Sequence, residues 1–205
     1  MASEETSLIT FSNISGDWTW NGEKIFVGPA PDGEGTLQSH SPDASVDIIY
    51  SEGDVFRLLT GHLMLHFGPA DISGISAIAG TGGGSAGSSD RFLKLAKGRL
   101  LAVLQKSSAP RKVSYDLSTA ETAMRINSNT ELVLDAEPDL TTIFVLVGPV
   151  RIEKPVPGEG KLWPSLEIEA GELLTVTPNG PGNAASPPSD IKNVYLKELN
   201  SLSSR

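Results

Sequence analysis

Short runs of alternating character dominate this chain. Val46, Ile48 and Tyr50 alternate with Asp47 and Ile49, and Leu63, Leu65 and Phe67 alternate with His62, Met64 and His66. A period of two sends successive side chains to opposite faces of an extended strand. Glycine punctuates the runs. Gly22 precedes Lys24-Ile25-Phe26-Val27, Gly53 precedes Val55-Phe56-Arg57-Leu58, and Gly61 precedes Leu63-Met64-Leu65. The form returns at Gly98 before Leu100-Leu101-Ala102-Val103, at Gly148 before Val150-Arg151-Ile152, and at Gly171 before Leu173-Leu174-Thr175-Val176. Glycine supplies the positive φ of tight hairpins, so the pattern predicts glycine turns followed by strands. The segments 56–67 and 92–104 look alike under this reading.

Two stretches also carry helical signals. Phe92, Ala96, Leu100 and Val103 fall on one helical face behind Asp90, but Gly98 in the middle would cost such a helix about 1 kcal/mol. Ser118-Thr119-Ala120-Glu121 has the spacing of a capping box. Strand is the expectation for both. The C-terminus differs: Ile191, Tyr195, Leu199 and Leu202 stand at helical spacing and Asp190 is placed to cap, which predicts an amphipathic helix over 191–202. Its apolar face either packs on its own domain or docks a partner.

The predicted fold is all-β, a β-sandwich or β-solenoid of short strands joined by glycine turns, with a short C-terminal helix. The β region spans 8–178 as one unit, or as halves 8–78 and 91–178 joined by the Gly-rich 79–90; residues 179–190 read as a linker.

Composition narrows the function. There are 205 residues, with 21 glycines and 14 prolines spread along the chain, which leaves little room for long helices. The formal net charge of −9 argues against binding nucleic acid through its phosphates. No apolar run approaches the length of about 18 residues that spans a bilayer. The start, MASEETS, lacks the basic and apolar regions of a signal peptide, so the chain reads as cytoplasmic or as the mature form of an exported protein. Zero cysteines exclude disulfides, thiolate metal sites and cysteine nucleophiles.

The candidate chemistry is thin. Gly82, Gly84 and Gly87 form a G-x-G-x-x-G, but the β-α alternation of a dinucleotide fold is missing around it. His62 and His66 lie four apart, a zinc spacing on a helix; on a strand they stand about 13 Å apart, too far to share an ion. No serine sits in a G-x-S-x-G elbow. No catalytic residue, cofactor or metal is expected, and the chain reads as a non-enzyme. Trp18 and Trp20 share one strand face, which suits either a cap on the core or a stacking platform for sugars or peptides; Trp163 is the third tryptophan.

The second half resembles the FecR domain family. The resemblance rests on Leu95-Ala96-Lys97-Gly98-Arg99-Leu100, on the extended Val113–Ala120, and on Met124–Leu132, where Asn127 to Asn129 stand in place of the family's Arg-Gly-Thr. Its closest parts are Thr142–Val150 and Leu166–Glu172. Residues 14–67 match the family's earlier part, with turns at Gly16-Asp17-Trp18 and Ser51-Glu52-Gly53-Asp54. The resemblance implies a periplasmic or extracellular, non-catalytic sensor or interaction domain. The expected function is therefore protein binding through exposed strands or the C-terminal helix, with Trp18, Trp20, Ile191, Tyr195, Leu199 and Leu202 as the candidate contact residues. A structural subunit of a larger, self-assembling particle and a carbohydrate-binding β domain are the alternatives.

Overall fold

The computed structural model describes residues 9–31, 34–51, 53–67, 91–105, 114–153 and 166–203. The Gly82–Gly87 loop, the 79–90 connection and Trp163 lie outside them. The described chain is all-β with one C-terminal helix, as its alternation predicts.

Two long strands organise everything else. β7 (Val55–Phe67) and β8 (Arg91–Val103) run antiparallel over their whole length. Each is shared between two layers. The first layer holds β1 (Ile9–Ser15), β4 (Gly28–Pro29) and β6 (Ser45–Tyr50), which join the N-terminal half of β7. On its far side β11 (Glu131–Glu137), β12 (Leu140–Val147), β15 (Leu173–Thr177) and β16 (Gly180–Pro181) follow from the C-terminal half of β8. The second layer holds β2 (Trp18–Trp20), β3 (Glu23–Lys24) and β5 (Gly35–Ser39), joined to the C-terminal half of β7. Across from them β9 (Ser114–Ser118), β10 (Ala123–Asn127), β13 (Pro149–Glu153) and β14 (Leu166–Glu169) follow from the N-terminal half of β8. The β8–β9 pairing is parallel, unlike every other named strand pair.

The layers face each other across one apolar interior that takes residues from Ile9 through Val176. Tyr50 of the first layer meets Tyr115 of the second edge-on at 5.2 Å, and Phe56 meets Tyr115 at 4.9 Å. Between the two alternatives drawn from the sequence, this packing is a sandwich.

The glycines do three jobs, where the sequence predicts one. Gly22 and Gly53 are hairpin turns with positive φ between paired strands. Gly148 and Gly171 instead lie at corners where the chain passes from one layer to the other. Gly61 and Gly98 interrupt nothing: they sit inside β7 and β8, where both strands bend together between the layers. A Cβ on Gly61 would stand 2.2 Å from the Lys97 carbonyl oxygen, and one on Gly98 would stand 2.2 Å from that of Thr60. The register slips between Leu59 and Leu63 at this point. The Ser39 hydroxyl fastens the bend by accepting from the Gly61 amide at 2.9 Å and donating to the Gly61 carbonyl at 3.1 Å.

Residues 92–103 are strand, with Gly98 as a bend and not a helix breaker. The capping-box residues form a turn between β9 and β10. There the Thr119 hydroxyl accepts from the amides of Glu121 and Thr122, the same side-chain to backbone bond a helix cap would make.

The helix, α1, spans Ser189–Ser203, so Asp190 falls in its first turn and not at the cap. An acidic side chain there suits the positive end of the helix dipole. The stretch before it is pinned to β15 through β16 and a bridge between Ala185 and Leu173. Among the described residues no helix is long and apolar enough to cross a membrane.

Candidate interaction surface

Both predicted tryptophans of β2 point into the sandwich. Trp18 is 1% exposed and its Nε1 donates to the Ser15 carbonyl at 3.0 Å. Trp20 is 5% exposed, tilts against Phe11 at 5.8 Å, and lies flat on Gly35, where any Cβ would strike the indole. Neither offers a free ring face for stacking a sugar.

The segment after them was expected to continue as a strand and does not. Lys24 ends β3, and the chain crosses from the second layer to the first, joining β4 at Gly28. Ile25 turns inward, its amide donating to the Trp18 carbonyl at 3.2 Å. Phe26 and Val27 turn outward and are 74% and 70% exposed, the two most exposed large apolar residues among those described. They rim an open groove of about 270 Å³ whose wall and floor include Phe11, Trp20, Ile25 and Pro29. Pro29 lacks an amide hydrogen, so β4 is a poor template for adding another strand. The groove therefore suits side-chain docking better than strand addition.

The four helix candidates divide. Tyr195, Leu199 and Leu202 pack against Leu101, Val103, Val133 and Phe144 on the outer face of the first layer, while Ile191 remains 39% exposed. Phe144 and Tyr195 stack at 5.4 Å. Polar contacts frame this patch. The Tyr195 hydroxyl donates to Asp135 at 2.8 Å, Arg99 donates to both Glu198 oxygens at 2.9 and 3.1 Å, and Arg57 donates to the Ser201 hydroxyl at 3.0 Å. The helix thus covers the outer face of the first layer.

Arg57 and Arg99 belong to a set. Each is directly opposite an aspartate on the neighbouring strand and grips both its oxygens: Arg57 with Asp47, Arg99 with Asp135 and, in the second layer, Arg125 with Asp116. Such forked pairs are the strongest protein ion pairs in geometry and specificity. They appear in the sequence only as isolated charges, because the partners meet across the ladder.

A fourth arginine is buried inside. Arg91, 4% exposed, donates to the Tyr115 hydroxyl at 2.8 Å and lies over the Tyr50 ring at 4.6 Å. The Tyr115 hydroxyl in turn donates to Asp54 at 2.8 Å, whose other oxygen accepts from the Gln105 amide at 2.8 Å.

Burial pushes the Tyr115 hydroxyl far above its usual range; Arg91 pulls the other way and Asp54 reinforces the shift. Burial, then Asp135, raises Tyr195. For Arg99, burial works against the charge, but Asp135 and Glu198 outweigh it and raise the pKa. Both tyrosines therefore keep their protons and serve as hydrogen-bond donors, not as bases.

The sign of the pH dependence follows. A tyrosine whose folded pKa lies above its unfolded value of about 10 contributes stability that is complete below that pH. The contribution is lost as pH rises toward the folded value. Circular dichroism melts between pH 9 and 12 should show a falling melting temperature, and Tyr115→Phe should flatten the fall. An equal slope in both would remove Tyr115 from the account.

Among the described residues no group of three or more His, Asp or Glu stands close enough to hold a metal. His62 lies on β7 opposite Gln38 and Lys97, and His40 shares a 2.9 Å hydrogen bond with Thr19.

No family model and no curated protein matches the chain. Two crystal structures of "a putative anti-sigma factor" from Parabacteroides distasonis are similar to it, with TM-scores of 0.48 and 0.49 at 13% and 12% identity. The alignments cover 74% and 75% of this chain and 60% and 61% of those, so the chain spans about three fifths of their length. A likeness of that size leaves the function to be argued from this chain's own surface.

Proposed function

We propose that this protein is a non-catalytic interaction or sensor module of FecR type, working in the periplasm or outside the cell, that binds another protein through the groove beside Phe26 and Val27. The observation that carries the reading is the exposure of these two residues, 74% and 70%, the highest of any large apolar side chains among the described residues. Adjacent exposed apolar residues rimming a groove are what a partner's anchoring side chain requires. The segments that resemble the FecR family support the type: 142–150 and 166–172 carry the glycine corners that hand the chain from layer to layer.

The test is capture with the whole chain as bait from separate envelope and cytosolic extracts of its native source, followed by quantification of a captured protein against a bait carrying Phe26→Ser and Val27→Ser. Loss of an anchor of this kind is worth about 2 kcal/mol, so the double variant should bind its partner about thirtyfold more weakly. Its melting temperature should match that of the wild type. Equal affinity for both baits would sink the surface, and a partner found only in the cytosol would sink the location.

A further inference from the structure

Among the described residues, the apolar cluster that holds α1 shares no residue with the interior of the sandwich. The interior cluster takes nothing from α1, whose buried apolar residues belong instead to the patch of Leu101, Val103, Val133 and Phe144 on the outside of the first layer, edged by Val55, Leu59, Leu146 and Leu173. The helix can therefore leave without opening the core. What it would leave behind is a shaped receptor, and its demands can be read from the present occupant. It asks for an aromatic hydroxyl toward Asp135, a carboxylate toward Arg99 and a small hydroxyl toward Arg57, on the same helical face as two leucines.

We propose that this outer face of β7, β8, β11 and β12 also receives α1 from a second copy of this chain, so that two molecules exchange helices and form a closed dimer. A second copy meets every one of these demands by identity, and exchange of an element between identical chains needs no new interface chemistry.

Two further features favour exchange. The pivot is short and stiff. After the Ala185–Leu173 bridge, only Ser186, Pro187 and Pro188 precede the helix, and consecutive prolines stiffen a link that can reach about 10 Å. The first turns of α1 also leave Ile191 and Val194 39% and 50% exposed, next to that pivot. In an exchanged dimer the two pivots run side by side about the two-fold axis, so these side chains become mutual contacts.

Two full-length variants test this. Leu199→Asp spoils the helix and keeps the face; Val133→Asp spoils the face and keeps the helix. Each alone should be monomeric by native mass spectrometry. Unfolded together and refolded as an equimolar mixture, they should yield a one-to-one heterodimer, because only exchange pairs the intact helix with the intact face. Wild type refolded at high concentration should give a homodimer. A mixture that stays monomeric overturns the proposal, and so does a homodimer that survives in Leu199→Asp. Where Val133→Asp fails to fold, wild type against Leu199→Asp at matched concentrations decides it: a concentration-dependent dimer in the first and none in the second is expected, and equal behaviour overturns it.

Discussion

Gly98→Ala is expected to lower the melting temperature by about 8–16 °C, or to leave the chain insoluble. Two costs add at this position. The backbone sits at φ +106°, where an L side chain is strained by about 1–2 kcal/mol. The new methyl would also stand 2.2 Å from the Thr60 carbonyl oxygen and 2.7 Å from the Gly61 Cα, both backbone atoms. Neither can rotate aside, so β7 and β8 must separate at the bend both layers share. A combined loss of about 4 kcal/mol fits substitutions that force backbone apart, and each kcal/mol shifts the transition of a chain of this size by about 2–4 °C. Gly171→Ala is the control. Its φ is +89°, but nothing lies within 4 Å of the added atom, so only the backbone strain remains. Comparable thermal melts for the two variants would refute the account of the bend.

Asp54→Ala should be the next most damaging change, at about 3 kcal/mol, because it removes the carboxylate that closes a buried polar chain. Tyr115 would lose the acceptor for its hydroxyl, Gln105 the acceptor for its amide, and Arg91 the negative charge one hydroxyl away. Asp54, Tyr115 and Arg91 are all buried, where water replaces a lost partner poorly. Asp17→Ala provides the contrast: Asp17 pairs with Lys24 at 3.5 Å with both side chains more than half exposed, and its loss should cost less than about 0.5 kcal/mol. Urea unfolding of the three proteins would measure the difference. A small effect at Asp54 would mean that the relay is ornamental.

These two sites also show what the sequence could and could not disclose. Alternation fixed the strands because period two is a local property, and Val46, Ile48 and Tyr50 face the interior as their spacing demands. The helical spacing of Tyr195, Leu199 and Leu202 was legible for the same reason. The role of each glycine was not. A hairpin at Gly53, a corner at Gly148 and a bend at Gly98 all begin as a glycine before an apolar run, and only the carbonyl facing Gly98 from another strand distinguishes them. Lys24-Ile25-Phe26-Val27 carried a strand pattern, yet the chain leaves the sheet after Lys24 to bridge the layers, which turned two expected strand residues into the exposed pair. Asp54 and Tyr115 stand 61 positions apart and Arg99 and Glu198 stand 99 apart, so no window along the chain could have paired them.

The shared pair of long strands has a consequence for how the protein is made. A ribosome delivers residues 9–67 before it delivers β8, so the first half can assemble its own ladders while one side of β7 still waits for its partner. For that interval the nascent chain carries a thirteen-residue strand with an unpaired flank, the kind of edge that recruits neighbouring polypeptides. Translation speed through the codons between β7 and β8 therefore bears directly on yield: a pause there prolongs the exposure, and rapid passage shortens it.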